Sequence, residues 1–314
     1  MNRIEKIVFM GTPDFAVPSL NALIDNGYNV VAVVTQPDKP VGRKMVLTPS
    51  PVKKVAQERG IPVLQYAKIK NEGVEDLKRL APDLIVTCAF GQILTQEIID
   101  IPRLGIINVH ASLLPKYRGS APIQRAVING DKETGVSIMK TELGIDTGDV
   151  LCVEKTPIYE NETAGELFDR LSVIGAIALI KGIKEIENGT DVWTPQDERL
   201  ATYVKMIKKE DGVIEWNGTA DEIFNFVRGM NPWPCAYTGL NGQPLKIWKV
   251  EKSKDEYDAL PGTIVLANAK EGIKVAVKGG SIKICELQTA GGKRMDARSF
   301  LAGNAIEAGT TLKL

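Results

Sequence analysis

The sequence predicts a doubly wound α/β sheet followed by a smaller C-terminal β domain. Two observations carry the first part of that prediction. Continuous apolar, β-branched runs recur through the first half, and helical patterns alternate with them. Runs without polar alternation belong to strands covered on both faces, the signature of a parallel sheet. A third observation carries the second part. Beyond residue 260 the runs shorten and are bounded by Gly, Asn and Lys, as in a small OB-like β-barrel.

In chain order, 6–10 (KIVFM) reads as a strand and 14–27 as a helix closed by Gly27. Residues 29–35 (NVVAVVT) form a second buried strand. A helix over 50–60 leads to a strand at 61–65, and another over 73–80 leads to a strand at 83–89 (DLIVTCA). Residues 104–109 (LGIINV) form one more apolar strand. A strand pair is expected at 136–141 and 149–158, around the loop ELGIDTG. A long amphipathic helix fills 163–189. Residues 190–207 are polar with little periodicity and read as a linker between a domain at 1–189 and one at 208–314. A short helix at 220–230 precedes the C-terminal strands.

Composition excludes several classes. The chain has 314 residues, 44% hydrophobic and 25% charged, which argues against disorder. No apolar run approaches the roughly 20 residues of a membrane span, and the opening MNRIEKIVFMG is too short in apolar content for a signal peptide. No membrane association is expected. Lys+Arg and Asp+Glu are both 39, so no overall basic excess announces nucleic acid, although the C-terminal third is slightly basic. Cys88, Cys152, Cys235 and Cys285 form no CxxC pair. With a single histidine, no zinc site is expected. Scattered thiols fit core positions in a reducing cytoplasm. The segment GTPDFA after the first strand is neither G-x-G-x-x-G nor a Walker A sequence, which argues against a nucleotide loop.

The single histidine, His110, follows the strand LGIINV. Ligands of open α/β sheets bind at the carboxyl ends of strands. Period-two geometry puts Asn108 on the same face as His110 if the strand continues. An amide and an imidazole in one crevice suit a developing oxyanion and a proton in transit. The next loop, ASLLPKYRGSAPIQRA, offers Gly119 for close backbone approach and Ser120 as a helix N-cap. Asp146 lies between Gly144 and Gly148. It is either a tight turn alone or a carboxylate delivered to His110.

The run NVHASLLPKYRGSAPIQ at 108–124, followed by GVSIMKTELGIDTGDVL at 135–151, resembles the formyltransferases that use 10-formyltetrahydrofolate. Asn108, His110 and Asp146 match the family's catalytic triad. The opening FMGTPDFAVPSL, the segment TQPDKPVGRK, the motif NPWPCAYT and the C-terminal β region extend the similarity over essentially the whole chain, toward the branch that formylates methionyl-tRNA.

The resemblance implies transfer of a formyl group from 10-formyltetrahydrofolate to the α-amino group of methionyl initiator tRNA, with no metal. Asn108 and His110 would face the oxyanion, and Asp146 would set the charge state of His110. Either of the last two could accept the proton. Ser112, Leu113, Leu114 and Pro115 would bind folate. Phe90, Gly91, Ile93 and Leu94 either wall the pterin pocket or form a core corner. The long basic loop at 35–50, with Lys39, Arg43 and Lys44, either is solvated or reaches the tRNA acceptor arm. Lys246, Lys249, Lys274, Lys278 and Lys283 either are plain surface or add backbone contacts. The alternative acceptor is a sugar-nucleotide amine; a glycinamide ribonucleotide acceptor would leave the C-terminal domain idle. The enzyme is expected to be monomeric.

Overall fold

The structure is a computed structural model that describes residues 3–42 and 44–314. Two compact units share the chain. The first takes residues 1–119, 133–157 and 168–204; the second takes 120–132, 158–167 and 205–314. The units are therefore interleaved in sequence, whereas local patterning predicts one boundary near 190–207. Segments 120–132 and 158–167 join the second unit through long-range packing that periodicity does not register.

In the first unit the strands are β1 (Ile7–Gly11), β2 (Val30–Thr35), β3 (Lys39–Val41), β4 (Val46–Thr48), β5 (Val63–Gln65), β6 (Leu84–Cys88), β7 (Ile106–His110), β8 (Arg118–Gly119), β9 (Glu133–Lys140), β10 (Val150–Pro157) and β11 (Tyr203–Val204). Seven of them form one sheet in the order β10-β9-β7-β6-β1-β2-β5. The five strands from β7 to β5 are parallel, and β9 and β10 complete the sheet as an antiparallel pair.

Alternate side chains of this sheet serve two cores. The first helices are α1 (Val17–Asp25) and α2 (Pro51–Glu58); Val8, Met10, Ala32, Val34 and Ile85 face helices α3 (Ile69–Glu72), α4 (Val74–Leu80) and α5 (Gln96–Ile99) through Ile69, Val74, Leu77 and Ile98. The other face is crossed by α7 (Ala164–Asn188). A Cβ at Gly175 would lie 2.9 Å from Val109 and one at Gly182 3.0 Å from Leu151. These two glycines, seven residues apart on one helix face, let α7 lie close on β7, β9 and β10.

Two polar stretches differ from expectation. The basic loop at 35–50 contains an antiparallel ribbon, β3 against β4. Its residues are mostly exposed, so it lacks the core-directed alternation by which a strand is recognised. The stretch expected as a linker folds onto the first unit. Thr194 bridges Val150, and β11 pairs in parallel with β8.

In the second unit, α6 (Pro122–Ile128) and α8 (Ala220–Gly229) accompany an antiparallel sheet. The N-cap of α6 is Ala121, with no side-chain cap, so Ser120 does not have the capping role expected of it. The first residue of the helix is proline, which needs no N–H partner. Helix α8 carries a capping box between Thr219 and Glu222.

The sheet strands are β12 (Ala236–Leu240), β13 (Gln243–Ser253), β14 (Ile264–Asn268), β15 (Gly272–Val277), β16 (Gly280–Thr289) and β17 (Met295–Asp296), followed by α9 (Ala297–Gly303). The order is β12-β13-β16-β15-β14, with β17 beside β16. The C-terminal residues bridge the two edges. Leu312 N–H donates to Gly262 O at 2.8 Å, beside β14, and Lys313 N–H donates to Gly239 O in β12 at 3.0 Å. The C-terminal segment thereby covers part of both edges of the sheet. Ile247, Val275, Ile282, Ile284 and Leu287 fill the interior.

Candidate active site

The site is built at the carboxyl end of β7. That strand runs through His110, so Asn108 and His110 share a face. Asn108 pairs in register with Thr87 of β6, whose hydroxyl donates to Asn108 Oδ1 at 2.9 Å. Occupying the amide oxygen in this way fixes the amide so that Nδ2 is left to donate.

His110 is 5% exposed. Its Nε2 lies 3.0 Å from Tyr117 O. A carbonyl only accepts, so Nε2 carries the proton in this contact. Nδ1 then faces Asp146, whose Oδ2 is 3.5 Å away. That same Oδ2 accepts from Gly119 N–H at 2.8 Å.

Both loops that flank the imidazole depend on glycine. A Cβ on Gly119 would stand 2.3 Å from Val204 O, and one on Gly148 would stand 2.0 Å from Lys140 O. Asp146 itself has φ +53°, a left-handed conformation that Asp tolerates better than most residues.

The loop after His110 is held internally. Ser112 is buried, and its hydroxyl donates to Lys116 O at 2.6 Å. Ser137 Oγ donates to Ser112 O at 2.7 Å and accepts from Leu114 N–H at 3.2 Å. Leu113, Leu114 and Pro115 remain half-buried. At the end of β6, Phe90 and Leu94 pack into the sheet core, while Ile93 is 82% exposed. Gly91 has φ +79°, and Gln36 Nε2 donates to the carbonyls of Phe90 and Gly91, each at 3.2 Å.

Lys39 and Lys44 are exposed on the ribbon, together with Met45, Val46 and Leu47; Arg43 lies outside the described residues. Of the five C-terminal lysines, Lys274 pairs with Asp255 at 2.9 Å and Lys283 with Glu251 at 3.4 Å. Lys246 lies over the Trp248 ring, 5.7 Å from its centroid.

Sequence reasoning missed the residues that hold the site from outside it. Arg118 is fully buried. It donates to both carboxylate oxygens of Glu198 at 3.0 and 2.7 Å, to Tyr203 Oη at 2.8 Å and to Gln196 Oε1 at 3.0 Å. The guanidinium holds the Glu198 carboxyl below its ordinary range. Gln196 Nε2 donates to Asp146 O at 2.9 Å and Gly148 O at 2.7 Å. The only sequence signal was a polar stretch with no periodicity, and such a stretch does not reveal its partners.

Two family models match the chain: formyl transferase over residues 5–183, and formyl transferase, C-terminal domain, over 206–305. The methionyl-tRNA formyltransferase of Ruminiclostridium cellulolyticum is 49% identical over 98% of this chain and 99% of its own length. That of Bacillus subtilis is 50% identical over 98% and 97%. Among solved structures, the N-formyltransferase of Helicobacter canadensis, in complex with folinic acid and dTDP-3-aminofucose, superposes with TM-score 0.67 at 22% identity. It covers 92% of this chain and all of its own. The sugar 3N-formyltransferase WlaRD gives TM-score 0.66 at 23% identity, over 89% and 97%. At those identities the likeness is one of fold. Full-length identity near one half says more: the chain belongs to the formyl transferase family, in the group of methionyl-tRNA formyltransferases.

Proposed function

We propose that the chain transfers the formyl group of 10-formyltetrahydrofolate to the α-amino group of methionyl initiator tRNA. The observation that carries the chemistry is the convergence of Asn108, His110 and Asp146 on one strand end, with Nδ1 of the imidazole directed at the carboxylate. The donor set fits an acyl transfer: one amide donor, one imidazole and one carboxylate, shielded from bulk water by the burial of His110. Bound 10-formyltetrahydrofolate supplies an electrophilic formyl carbon on a nitrogen leaving group.

Each residue then has a role set by its hydrogen bonds. Asn108 Nδ2 donates to the formyl oxygen as negative charge develops on it. The attacking amine has an ordinary pKa of about 7.7–8.0, so a neutral fraction exists near pH 7. Its proton passes to His110 Nδ1, the ring nitrogen that the Tyr117 carbonyl does not occupy. Asp146 balances the imidazolium that results, and the same nitrogen returns the proton to the leaving amine. Asp146 Oδ2 is already engaged by Gly119 N–H, which supports His110 over Asp146 as the proton carrier. Ser112 to Pro115 form the folate-side wall on this reading. The ribbon bearing Lys39 and Lys44, with Arg43 between them in sequence, and the domain at 208–314 receive the tRNA. We further propose a monomeric, cytoplasmic enzyme. Among the described residues no helix is long and apolar enough to cross a membrane.

Formyl transfer from 10-formyltetrahydrofolate, measured in parallel with methionyl initiator tRNA and with an amino-sugar nucleotide, tests the proposal. Product on the tRNA is expected. Product on the sugar alone would keep the chemistry and overturn the acceptor.

A further inference from the structure

The strap at 194–204 reaches both partners of His110, and no catalytic role described above uses it. Gln196 places both its N–H donors on carbonyls of the Asp146 loop, Asp146 O and Gly148 O, while its Oε1 accepts from Arg118. Six residues further on, Thr202 Oγ1 accepts from Tyr117 N–H at 2.8 Å, and Thr202 O accepts from Arg118 N–H at 2.8 Å. Tyr117 supplies the carbonyl bound by His110 Nε2. Both sides of the imidazole are therefore tied to one strap.

Between its ends, the Asp146 loop has little else among the described residues to fix it. Leu143 and Ile145 beside it are exposed, at 62% and 57%. Its other bonds are Lys140 N–H to Asp149 O at 2.8 Å and Thr141 N–H to Ile106 O at 2.7 Å, both where the loop joins its strands, Thr147 Oγ1–H to Leu143 O at 3.3 Å, local to the loop, and the contact of Asp146 with Gly119. A carboxylate 3.5 Å from its imidazole is sensitive to small displacements, because the interaction depends on both distance and direction.

We infer that Gln196 is a positioning residue for the transfer reaction: its amide locks the Asp146 loop to the buried Arg118 and so sets the distance between Asp146 and His110. The inference rests on the proposed function, because it requires that Asp146 acts on His110. The amide acts through three hydrogen bonds, two donated and one accepted. Methionine keeps the length of the side chain and loses all three. Glutamate keeps the acceptor and turns a carboxylate toward two carbonyl oxygens.

The test is a cycle of Gln196→Met, Asp146→Asn and the double variant, read in single turnover with wild type alongside, and with thermal melts. A wild-type chain that fails to formylate methionyl-tRNA would sink the proposed function itself, whatever Gln196 does. With wild type active, Gln196→Met should lower the rate about 10- to 100-fold, the range typical of supporting-shell residues. It should leave the KM for folate within a few-fold. In the Asp146→Asn background the same substitution should cost less than about 3-fold, because its effect passes through the carboxylate.

A second readout does not depend on turnover. His110 is the only histidine, so its ring resonances are unambiguous. In Gln196→Met they should move in the direction seen in Asp146→Asn. Gln196→Glu should show the same pattern, which covers the case of a poorly folding methionine variant. Unchanged rate and unchanged resonances, or equal losses in both backgrounds, would overturn the inference.

Discussion

Two loops at the carboxyl ends of strands in one sheet are built in opposite ways. The loop after β7 turns its polar groups inward: Ser112, Arg118 and His110 are buried, and each has a named partner. The ribbon after β2 turns outward and exposes Lys39, Lys44, Met45, Val46 and Leu47. The difference matches two physical demands. Moving a proton requires donor and acceptor held to within tenths of an ångström, which buried hydrogen bonds provide. Meeting a large substrate requires exposed charge and apolar surface.

Breaking the inward loop should produce the largest effects. On the proposed mechanism Asp146→Asn removes the charge that balances the imidazolium, and a loss in kcat of about 10²–10⁴-fold is expected, the range of general acid–base groups. Asn108→Ala removes the donor proposed for the developing oxyanion and should cost about 10²–10³-fold. In both, equilibrium folate binding should change only a few-fold. A large loss of folate affinity would mean that these side chains hold the ligand and do not act on the transfer.

Changes to the outward ribbon should be milder and different in kind. Lys44→Ala should raise the KM for tRNA several-fold and leave the KM for folate alone. The salt dependence of tRNA binding should fall by roughly one phosphate contact. A parallel rise in both KM values would place the ribbon in the folate site and erase the contrast.

A staple far from either loop gives a smaller effect. Burial opposes ionisation of Asp83, but the N–H groups of Glu5 and Lys6 at 2.7 and 2.9 Å and the Arg103 guanidinium at 2.7 Å outweigh it. The carboxyl therefore sits below its ordinary value. A lowered value means that the stabilisation is present at neutral pH and is lost as pH falls through the folded-state value. Asp83→Asn should destabilise by about 1–2 kcal/mol at pH 7. The gap to wild type in urea midpoints should narrow as pH falls through the ordinary carboxylate range and close once pH is below the folded-state value. A gap independent of pH would remove the charge from the account.

The thiols test burial away from both loops. Burial pushes Cys88 up to about 12, and Cys152, Cys235 and Cys285 up to about 11. At pH 8 the native chain should react with a thiol reagent at least about 100-fold more slowly than the unfolded chain. Rapid native labelling at any of the four would mark a thiol that is more than a core residue.

The contrast between the two loops also explains what was legible in the sequence. Strands β1, β2 and β6 are nearly continuous apolar runs, and burial on both faces requires such runs. Asn108 and His110 are two residues apart on one strand, so elementary geometry places them together. The ribbon at 39–48 reads as a loop in sequence because no core-facing alternation marks an exposed hairpin. Gln196, Glu198 and Thr202 were assigned to a linker because their value lies in bonds to residues 48 to 85 positions away, and periodicity carries no information on such partners. For the same reason segments 120–132 and 158–167 belong, unforeseen, to the second unit. Phe90 and Leu94 fitted both a pocket wall and a core corner by composition, and their side chains lie in the core.

The most direct test of the central claim is single-turnover formylation of methionyl initiator tRNA by the wild-type chain and by His110→Ala, at saturating 10-formyltetrahydrofolate. The account predicts formylmethionyl-tRNA from wild type and a rate about 10³-fold lower from the variant, with matching melting curves. Equal rates, or no product from wild type, would contradict it.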